Sequence, residues 1–417
     1  RSARTRQLVR DSDYAKSALR AIALNTVGNG IPFQAQVKRQ RGNKLDTTVN
    51  DQIENLWSKW TRASYCHTAG RLCFSDIEAL VMRAVAQDGE VFIRLIKQPF
   101  AGSPVPLALE VLEADWIDDR MTGRTGENGN EIRMGIEVDR WQRPVAYWFL
   151  PKHPGDYLVS NAEQARLGNP VRVPADEVLH LYQSERPGQT RGYPMFASCL
   201  KNLHQLEGFQ EAEVVRARAS SSLMGFITSP EGELLGDDVE AGERVTDWAP
   251  GKWMYLQPGE NVTVPDLGSP DMQFESFLRA MLRSFAAGTG VSFESISKDF
   301  TQTNYSSSRL SLLEERDHWR FLQRWLIENF HQRIYEVWLD LAVLSGAINL
   351  PLYETDPDRY RSVRWMPRGW SWVDPQKEIT ALREAEMAGY ITKTQIIAEN
   401  GGDIEELLNQ RRQELDM

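Results

Sequence analysis

The feature that most constrains this chain is one very long stripe of large apolar side chains. Between 306 and 344 these side chains recur every three or four positions, the spacing of one helix face: Leu322, Trp325, Leu326, Phe330, Ile334, Val337, Trp338 and Leu341. A helix over this range is roughly 58 Å long, whereas globular helices average about 11–12 residues. Such a helix needs a large partner surface, either in its own chain or in neighbouring subunits.

A polar segment studded with aromatic residues directly precedes this helix. It covers 291–309 and has the sequence VSFESISKDFTQTNYSSSR, in which Phe293, Phe300 and Tyr305 stand among Ser, Thr, Asn, Gln and Asp. A short helix stripe from Phe274 to Phe285 comes before it and is followed by glycines at 288 and 290. Two interpretations stay open: a loop exposed to something outside the subunit, or an ordinary helix–helix connection packed on its own subunit.

The first half of the chain has the pattern of an α+β fold. Ser12 or Asp13 caps a helix over 12–27, and Ser75 or Asp76 caps another that ends at Gly89. Five apolar runs predict strands: EVFIRLIK, LALEVLEADWI, RMGIEVD, PVAYWFLP and EVLHLYQ. The connection DRWQRP is typical of a hairpin turn, so the sheet is predicted to be mostly antiparallel.

The second half is predicted to be mainly helical. A helix of about 30 residues begins at Pro194 and is followed, over roughly 224–270, by short strands with turns. After the long helix, Asp374, Thr392 and Asp403 each cap a helix of the C-terminal tail. No internal repeat or low-complexity tract interrupts the chain.

Composition excludes several classes of protein. The chain has 417 residues, enough for two or three domains, and a net charge of −10, which argues against a tight static hold on nucleic acid. No window approaches the ~18 apolar residues of a membrane helix, and the start does not resemble a signal peptide. Because the chain opens on Arg1, we expect a fragment or a processed product. Three cysteines without paired spacing suggest a reducing compartment.

Residues for catalysis or cofactor binding do not form a coherent set. The sequence lacks a phosphate-cradling loop and a nucleophile elbow, and Cys66, His67 and Cys73 lack a second close ligand pair for a metal. We expect helix-surface or interface packing for His318 and His331. Asp118 and Asp119, together with thirteen tryptophans, allow a glycan hydrolase as an alternative function, with core and interface packing of the tryptophans as the competing explanation.

Three segments resemble the portal proteins of lambda-like tailed bacteriophages. They are GQTRGYPMF followed by a helix, FAAGTGVSFESISKDFTQTNYSSSR followed by the long helix, and WVDPQKEITALREAEMAGYITKTQIIAENGGDIEELLNQR near the C-terminus. The resemblance implies an α+β portal-protein fold. Its parts would be an α/β wing at 1–192 and 306–373, stem helices at 193–222 and 271–288, a small β-containing clip at 223–270, a tunnel loop at 289–305 and a helical crown at 374–417.

The resemblance also implies a structural, non-enzymatic function without a cofactor. Twelve or so copies would form a ring at one capsid vertex, through which double-stranded DNA passes during packaging and ejection. The partners would be other copies of the chain, the large terminase subunit, head-completion and tail connector proteins and the major capsid protein. The location would be the virion, with the host cytoplasm during assembly, and no membrane is involved.

Two groups of residues are the candidate sites. In the tunnel loop, the side chains expected to face the DNA channel are Phe293, Lys298, Asp299, Phe300, Asn304 and Tyr305. In the stem, Arg279 and Arg283 stand at i, i+4 off the apolar stripe and would face Glu211 and Glu213 in the same or a neighbouring subunit. A solvated helix face is the alternative for these four charges.

Overall fold

The computed structural model describes residues 2–40, 44–126, 129–156, 168–221, 226–228, 261–263, 272–301, 305–370, 375–399 and 404–416. It divides into two compact units, one formed by 1–200 with 286–417 and the other by 201–285. The helices of the described ranges are α1 Ser2–Asp11, α2 Asp13–Thr26, α3 Thr47–Trp60, α4 Ala63–Cys66, α5 Phe74–Asp88, α6 Leu200–Ser221, α7 Met272–Thr289, α8 Phe293–Ser297, α9 Tyr305–Leu326, α10 Gln332–Leu344, α11 Pro357–Arg361, α12 Pro375–Met387, α13 Lys393–Glu399 and α14 Ile404–Asp416.

The strands confirm an α+β fold with antiparallel pairing. They are β1 Phe33–Ala35, β2 Glu90–Ile96, β3 Ala108–Leu112, β4 Arg124–Thr125, β5 Glu131–Arg133, β6 Ile136–Val138, β7 Pro144–Phe149, β8 Val171–Pro174, β9 Val178–Tyr182, β10 Phe226–Thr228, β11 Asn261–Thr263 and β12 Val363–Trp365. In the first unit one sheet has the order β3-β2-β9 and a second the order β4-β5-β6-β7-β8, while β1 pairs with β12. Every pairing within these sheets is antiparallel.

The two larger sheets share one apolar core. Phe92 of β2 lies against Tyr147 and Phe149 of β7, with ring centroids 5.7 Å apart in both pairs. Residues from both sheets complete this cluster, among them Leu112, Ile136, Val138 and Val173. β2 is buried along most of its length, and β7 is buried at Ala146, Tyr147 and Phe149, so both strands contribute to this core.

Aromatic residues of α3, α5 and the long helix form a second core. Trp57 lies 5.0 Å from both Trp60 and Trp338, and Phe33 of β1 packs between Trp57 and Tyr335. These rings meet mainly in tilted or edge-to-face arrangements, which aromatic pairs prefer to a direct sandwich. The tryptophans that suggested sugar-binding platforms on this face are therefore packing residues.

The long helix of the sequence analysis is confirmed, with one interruption. Helical structure runs from Tyr305 to Leu344, and its middle, Ile327–His331, is a π-helical turn that separates α9 from α10. Most π-helical structure occurs as such single turns inside α-helices. This turn contains His331, whose ring contacts the buried side chain of Glu78.

His331 is a buried hydrogen-bonding residue, so the expectation that it lies on a helix surface or interface is wrong. Its Nδ1 donates to the Leu326 carbonyl at 3.2 Å, and its Nε2 lies 2.7 Å from Glu78 Oε1. Both side chains are fully buried, and Glu78 also accepts the backbone N–H of Ile31 at 3.1 Å. Because Nδ1 faces a carbonyl and must carry a hydrogen, the short contact to Glu78 holds a further proton between the two side chains.

The second unit contains a helical hairpin and a small strand pair. The ring of Phe209 on α6 lies 5.8 Å from Phe274 and 4.6 Å from Phe277 on α7. Asn202 Nδ2 donates to Ser284 Oγ at 3.1 Å nearer the other end of the hairpin. β10 pairs antiparallel with β11, as the prediction of short strands in this region requires. The rest of 222–271 lies outside the described residues.

Three local predictions differ from the structure. Helix α1 was not predicted. The predicted strand RMGIEVD contains a tight turn at Met134 and Gly135, both with positive φ, which separates β5 from β6. The end of LALEVLEADWI is a short 3-10 turn, Ala114–Trp116. None of the helices in the described ranges is both long and apolar enough to cross a membrane.

Candidate functional site

The segment before the long helix begins with a turn that requires glycine. Helix α7 ends at Thr289, and Gly290 has φ of +72° while its N–H donates to Ala286 O at 2.9 Å. A Cβ at Gly290 would lie 3.1 Å from the ring of His318. Both the left-handed backbone and the close approach to α9 therefore favour glycine at this position.

The first half of the segment forms the short helix α8, fixed on its own subunit. Ser292 caps α8 by accepting the N–H of Ser295 at 3.2 Å. The backbone N–H and hydroxyl of Ser292 also donate to Glu315 of α9, at 3.1 and 3.2 Å. Ser295 donates to the same carboxylate at 3.2 Å, and its carbonyl accepts the hydroxyl of Ser17 from α2. The polar character of 291–297 is thus used largely within the subunit.

The second half of the segment is an exposed turn. Lys298 ends α8 in the left-handed conformation with φ of +58°. Asp299 then accepts hydrogen bonds from the N–H and hydroxyl of Thr301, at 3.0 and 2.6 Å. Between them, Phe300 is 61% exposed. The structure therefore provides a short polar tip carrying a large exposed ring, held by an Asp–Thr turn.

The predicted loop residues fall into three groups. Phe293 is half-buried in α8, whereas Lys298, Asp299 and Phe300 form the tip. Asn304 and the side chain of Tyr305 lie outside the described residues. The structure therefore brings three of the six candidate residues together.

Two of the four predicted stem charges pair along their own helices in the single chain. Arg279 contacts Glu275 at 2.9 Å, and Glu213 contacts Arg216 at 2.7 Å. Glu211 and Arg283 are exposed. The same hairpin exposes Val214, Val215 and Phe277, large apolar side chains on an otherwise polar surface. Pairing of the stem charges between neighbouring copies stays a prediction.

Comparison with known proteins decides the family. The family described as "Phage portal protein, lambda family" matches residues 1–323. The chain belongs to the lambda family of phage portal proteins. It is 30% identical over 414 residues to a probable portal protein of Halomonas phage phiHAP-1, covering 98% of this chain and 78% of that protein. It is 21% identical to portal protein B of Escherichia phage lambda, covering 99% and 83%.

A chain in the solved structure of a particle neck has a similar fold. The chain is similar to one in the neck of an empty gene transfer agent particle, with a TM-score of 0.50 and 16% identity over 95% of this chain and 93% of that one. Membership of the portal family and this likeness of fold agree with the α+β architecture described above. The alternative of a glycan hydrolase is not supported.

The candidate catalytic and metal-binding residues have structural partners. Asp118 is buried and accepts three hydrogen bonds from Arg120, two from the guanidinium at 2.7 and 3.0 Å and one from the backbone N–H at 3.2 Å. Burial, with a smaller effect of Cys73, raises the pKa of the Cys66 thiol to about 12, so this sulfur is held as a thiol. Its Sγ donates to Thr61 O.

Glu315 is a residue of the candidate site that the sequence analysis missed. It lies on α9, 6% exposed, and holds both Ser292 and Ser295. The local signal was Ser292, a residue type preferred at the N-cap of a helix. The remote carboxylate could not be assigned because nothing in the sequence relates position 292 to position 315 except the fold itself.

Proposed function

We propose that this chain is the subunit of a closed ring at one capsid vertex of a phage particle, forming the channel for double-stranded DNA. The match of residues 1–323 to the portal family carries this proposal. Closed cyclic assemblies use heterologous interfaces, in which two different surfaces of one subunit meet. The exposed apolar side chains of the stem hairpin, Val214, Val215 and Phe277, offer one such surface.

The segments take the roles that the family resemblance implies. We assign the wing to 1–192 with 306–373, the stem to 193–222 and 271–288, the clip to 223–270, the tunnel loop to 289–305 and the crown to 374–417. The separate compact unit at 201–285 supports grouping the stem with the clip. The anchored helix α8 and the exposed turn after it support a tunnel loop with a fixed base and a projecting tip.

The exposed tip at 298–301 would contact DNA without binding it tightly. Lys298 and Asp299 have opposite charges that nearly cancel, and the exposed ring of Phe300 adds contact area without charge. Stable binding to a duplex would instead need several cations, each neutralising a phosphate. A weak, sequence-independent contact is compatible with movement of DNA along the channel.

The proposed partners follow from the same position in the particle. The ring would dock the large terminase subunit during packaging, then head-completion and tail connector proteins, and would contact the major capsid protein. Assembly would take place in the host cytoplasm before the ring becomes part of the virion. The chain itself would catalyse no reaction, and ATP hydrolysis would belong to the terminase.

Native mass spectrometry with negative-stain imaging tests the ring. Twelve copies of a 47.6 kDa chain give a particle of roughly 570 kDa. A folded monomer at micromolar concentration, with its helical circular dichroism intact, would contradict the proposal. The absence of catalysis has its own test: an ATPase, nuclease or glycosidase activity that co-purifies with the ring and is lost in Asp118→Asn would show that the chain is an enzyme.

A further inference from the structure

An open groove in the first unit is lined by unopposed positive charges. It lies among α1, α2 and α5 and has a volume of about 570 Å³. Its cations are Arg10, Lys16, Arg20 and Arg83, all exposed, and none of them forms an ion pair with any residue in the described ranges. This concentration is unusual in a chain whose net charge is −10.

The groove combines these charges with an apolar floor. Val9 and Leu19 are buried beneath it, and Leu80 is exposed at its side. Lys16 and Arg20 stand at i, i+4 on α2, where like charges repel and slightly destabilise a helix. The acidic side chains at one end are already engaged, since Asp88 accepts from Arg6 at 2.7 Å and Glu113 contacts His153 at 3.1 Å. The four cations thus lack a counter-charge within the described chain.

The complementary surface lies on the same unit, at the corner after α10. This acidic corner covers 344–358 and contains Glu354, Asp356 and Asp358. Arg359 follows it directly, and Arg361 lies 3.9 Å from the Asp358 carboxylate. Leu344 and Leu352 project from it, 81% and 62% exposed. Leu352 has φ of +63°, a conformation that costs a residue with a side chain free energy and is often retained for a function.

The acidic corner is held rigidly. Tyr360 donates its hydroxyl to Pro351 O at 2.5 Å, and the Asp356 N–H donates to Leu352 O at 3.1 Å. Tyr353 is buried and its hydroxyl donates to Asp340. A surface that is already ordered loses little conformational entropy when it binds. No hydrogen bond or ion pair joins this corner to the basic groove among the described residues of one chain.

We propose that the basic groove of one subunit binds the acidic corner of a neighbouring copy. The leucines of the corner would cover the apolar floor, and its carboxylates would meet the four cations at the rim. Two different surfaces of one unit then form a heterologous interface, which a closed ring requires. This inference rests on the proposed ring. A DNA backbone would neutralise the cations but would leave the apolar floor uncovered, because it has no apolar side chains.

A charge-exchange experiment tests the contact. The groove variant is Arg20→Glu with Arg83→Glu, and the corner variant is Glu354→Lys with Asp358→Lys. Each variant alone is expected to raise the subunit concentration for half-maximal ring assembly roughly tenfold or more, most strongly at low salt. A chain with all four substitutions is expected to regain assembly. Lys59→Glu with Arg71→Glu is the control for net charge and is expected to assemble like wild type.

Mixing the two variants sharpens the test. In an alternating ring every interface joins either two wild-type surfaces or two exchanged ones. An equimolar mixture is therefore expected to form rings, and native mass spectrometry of one isotopically labelled variant is expected to show equal numbers of both chains.

Each other outcome overturns the contact. The contact is contradicted by normal assembly of either variant alone, by absence of rescue in the chain with all four substitutions, or by an equal defect in the control. In each case rings of the wild-type chain would leave the proposed function intact. Normal rings of the groove variant with weakened DNA binding would assign the groove to DNA. A wild-type chain that forms no ring would overturn the proposed function together with this inference.

Discussion

Ser292 donates two hydrogen bonds to the buried carboxylate of Glu315, one from its backbone at 3.1 Å and one from its hydroxyl at 3.2 Å. This contact ties the base of the proposed tunnel loop to the long helix across 23 positions of sequence. The loop is therefore not a free connection, because hydrogen bonds to α9 hold α8 in place.

Glu315→Ala is expected to release this anchor. Removing the carboxylate leaves the Ser292 N–H without its acceptor, a loss of about 1–3 kcal/mol in the free energy of unfolding. Hydrogen exchange is expected to accelerate at 292–297 more than elsewhere. Glu314→Ala is the matched control, because Glu314 is exposed and makes no hydrogen bond to α8. Equal effects of the two substitutions would show that the anchor contributes nothing specific.

The buried pair of Glu78 and His331 predicts that two substitutions of Glu78 lower the free energy of unfolding by different amounts. In Glu78→Gln the amide oxygen can still accept the Ile31 N–H, and the amide nitrogen can donate to His331 Nε2. In Glu78→Ala both partners are left buried and unpaired, at a cost of about 3–5 kcal/mol. The free energies of unfolding of the two variants, measured by thermal and chemical denaturation, are expected to differ by most of that amount. Comparable losses would contradict this hydrogen-bond assignment.

These examples show where the sequence predicts the structure and where it does not. The stripe from Leu322 to Leu341 predicts a helix because helical periodicity is local, and α9 and α10 confirm it. The π-helical turn within it was not predictable, because it depends on Glu78, about 250 positions away. Helix α1 was missed for the same reason: Arg6 is held by Asp88, a partner that only the fold supplies.

The candidate site divides in the same way. The sequence left open whether the polar segment is exposed or packs on its own subunit. In the structure Ser292 and Ser295 donate to Glu315 of the same chain, whereas Lys298, Phe300 and Thr301 are exposed. That these exposed residues face a DNA channel stays a prediction. The stem pairing of Arg283 with Glu211 stays a prediction because it requires a second copy of the chain.

The pH dependence of stability is expected to depend on Glu90. Burial raises the pKa of this carboxyl, but the hydrogen bond to His180 and the charge of Arg191 outweigh burial and lower the pKa from 4.5 to about 2. Burial lowers the pKa of His180, whose Nε2 lies 2.9 Å from the carboxylate that pairs with Arg191. A lowered carboxyl pKa stabilises the fold above the unfolded value and loses that effect as the pH falls.

The stability of wild type relative to Glu90→Gln provides the measurement. The contribution of the shifted carboxyl is about 3 kcal/mol at neutral pH. The difference between the two proteins is expected to stay constant above about pH 5 and to shrink by that amount as the pH falls toward 2. Chemical denaturation at each pH gives both free energies. A difference independent of pH would show that the Glu90 carboxyl titrates alike in the folded and unfolded chains.

Charge reversal in the stem tests whether neighbouring subunits pair there. Arg283→Glu is expected to weaken ring formation, with a larger effect at low salt, because fewer mobile ions then screen the repulsion from carboxylates such as Glu211. Arg320→Glu, on the exposed surface of α9, is a control with the same change in charge. Rings of unchanged yield and melting temperature at low salt would indicate that Arg283 is solvated and leave Glu211 without an inter-subunit role.

Substitution of the exposed Phe300 tests DNA passage independently of ring assembly. Truncating a buried Phe costs about 3–5 kcal/mol. Phe300 is 61% exposed, so Phe300→Ala is expected to leave ring formation and melting temperature almost unchanged. Heads built on these rings are expected to package less DNA or to retain it poorly, because each loop loses its largest contact with the channel.

Phe330→Ala supplies the opposite reference for that variant. Phe330 is fully buried, and its ring stacks on Phe74 with centroids 5.4 Å apart, so its truncation is expected to lower the melting temperature of the ring. The decisive comparison is melting temperature against packaged DNA length for both variants. If Phe300→Ala behaved like Phe330→Ala, with less stable rings but full-length DNA in each surviving head, Phe300 would be a packing residue and the tip would not contact DNA.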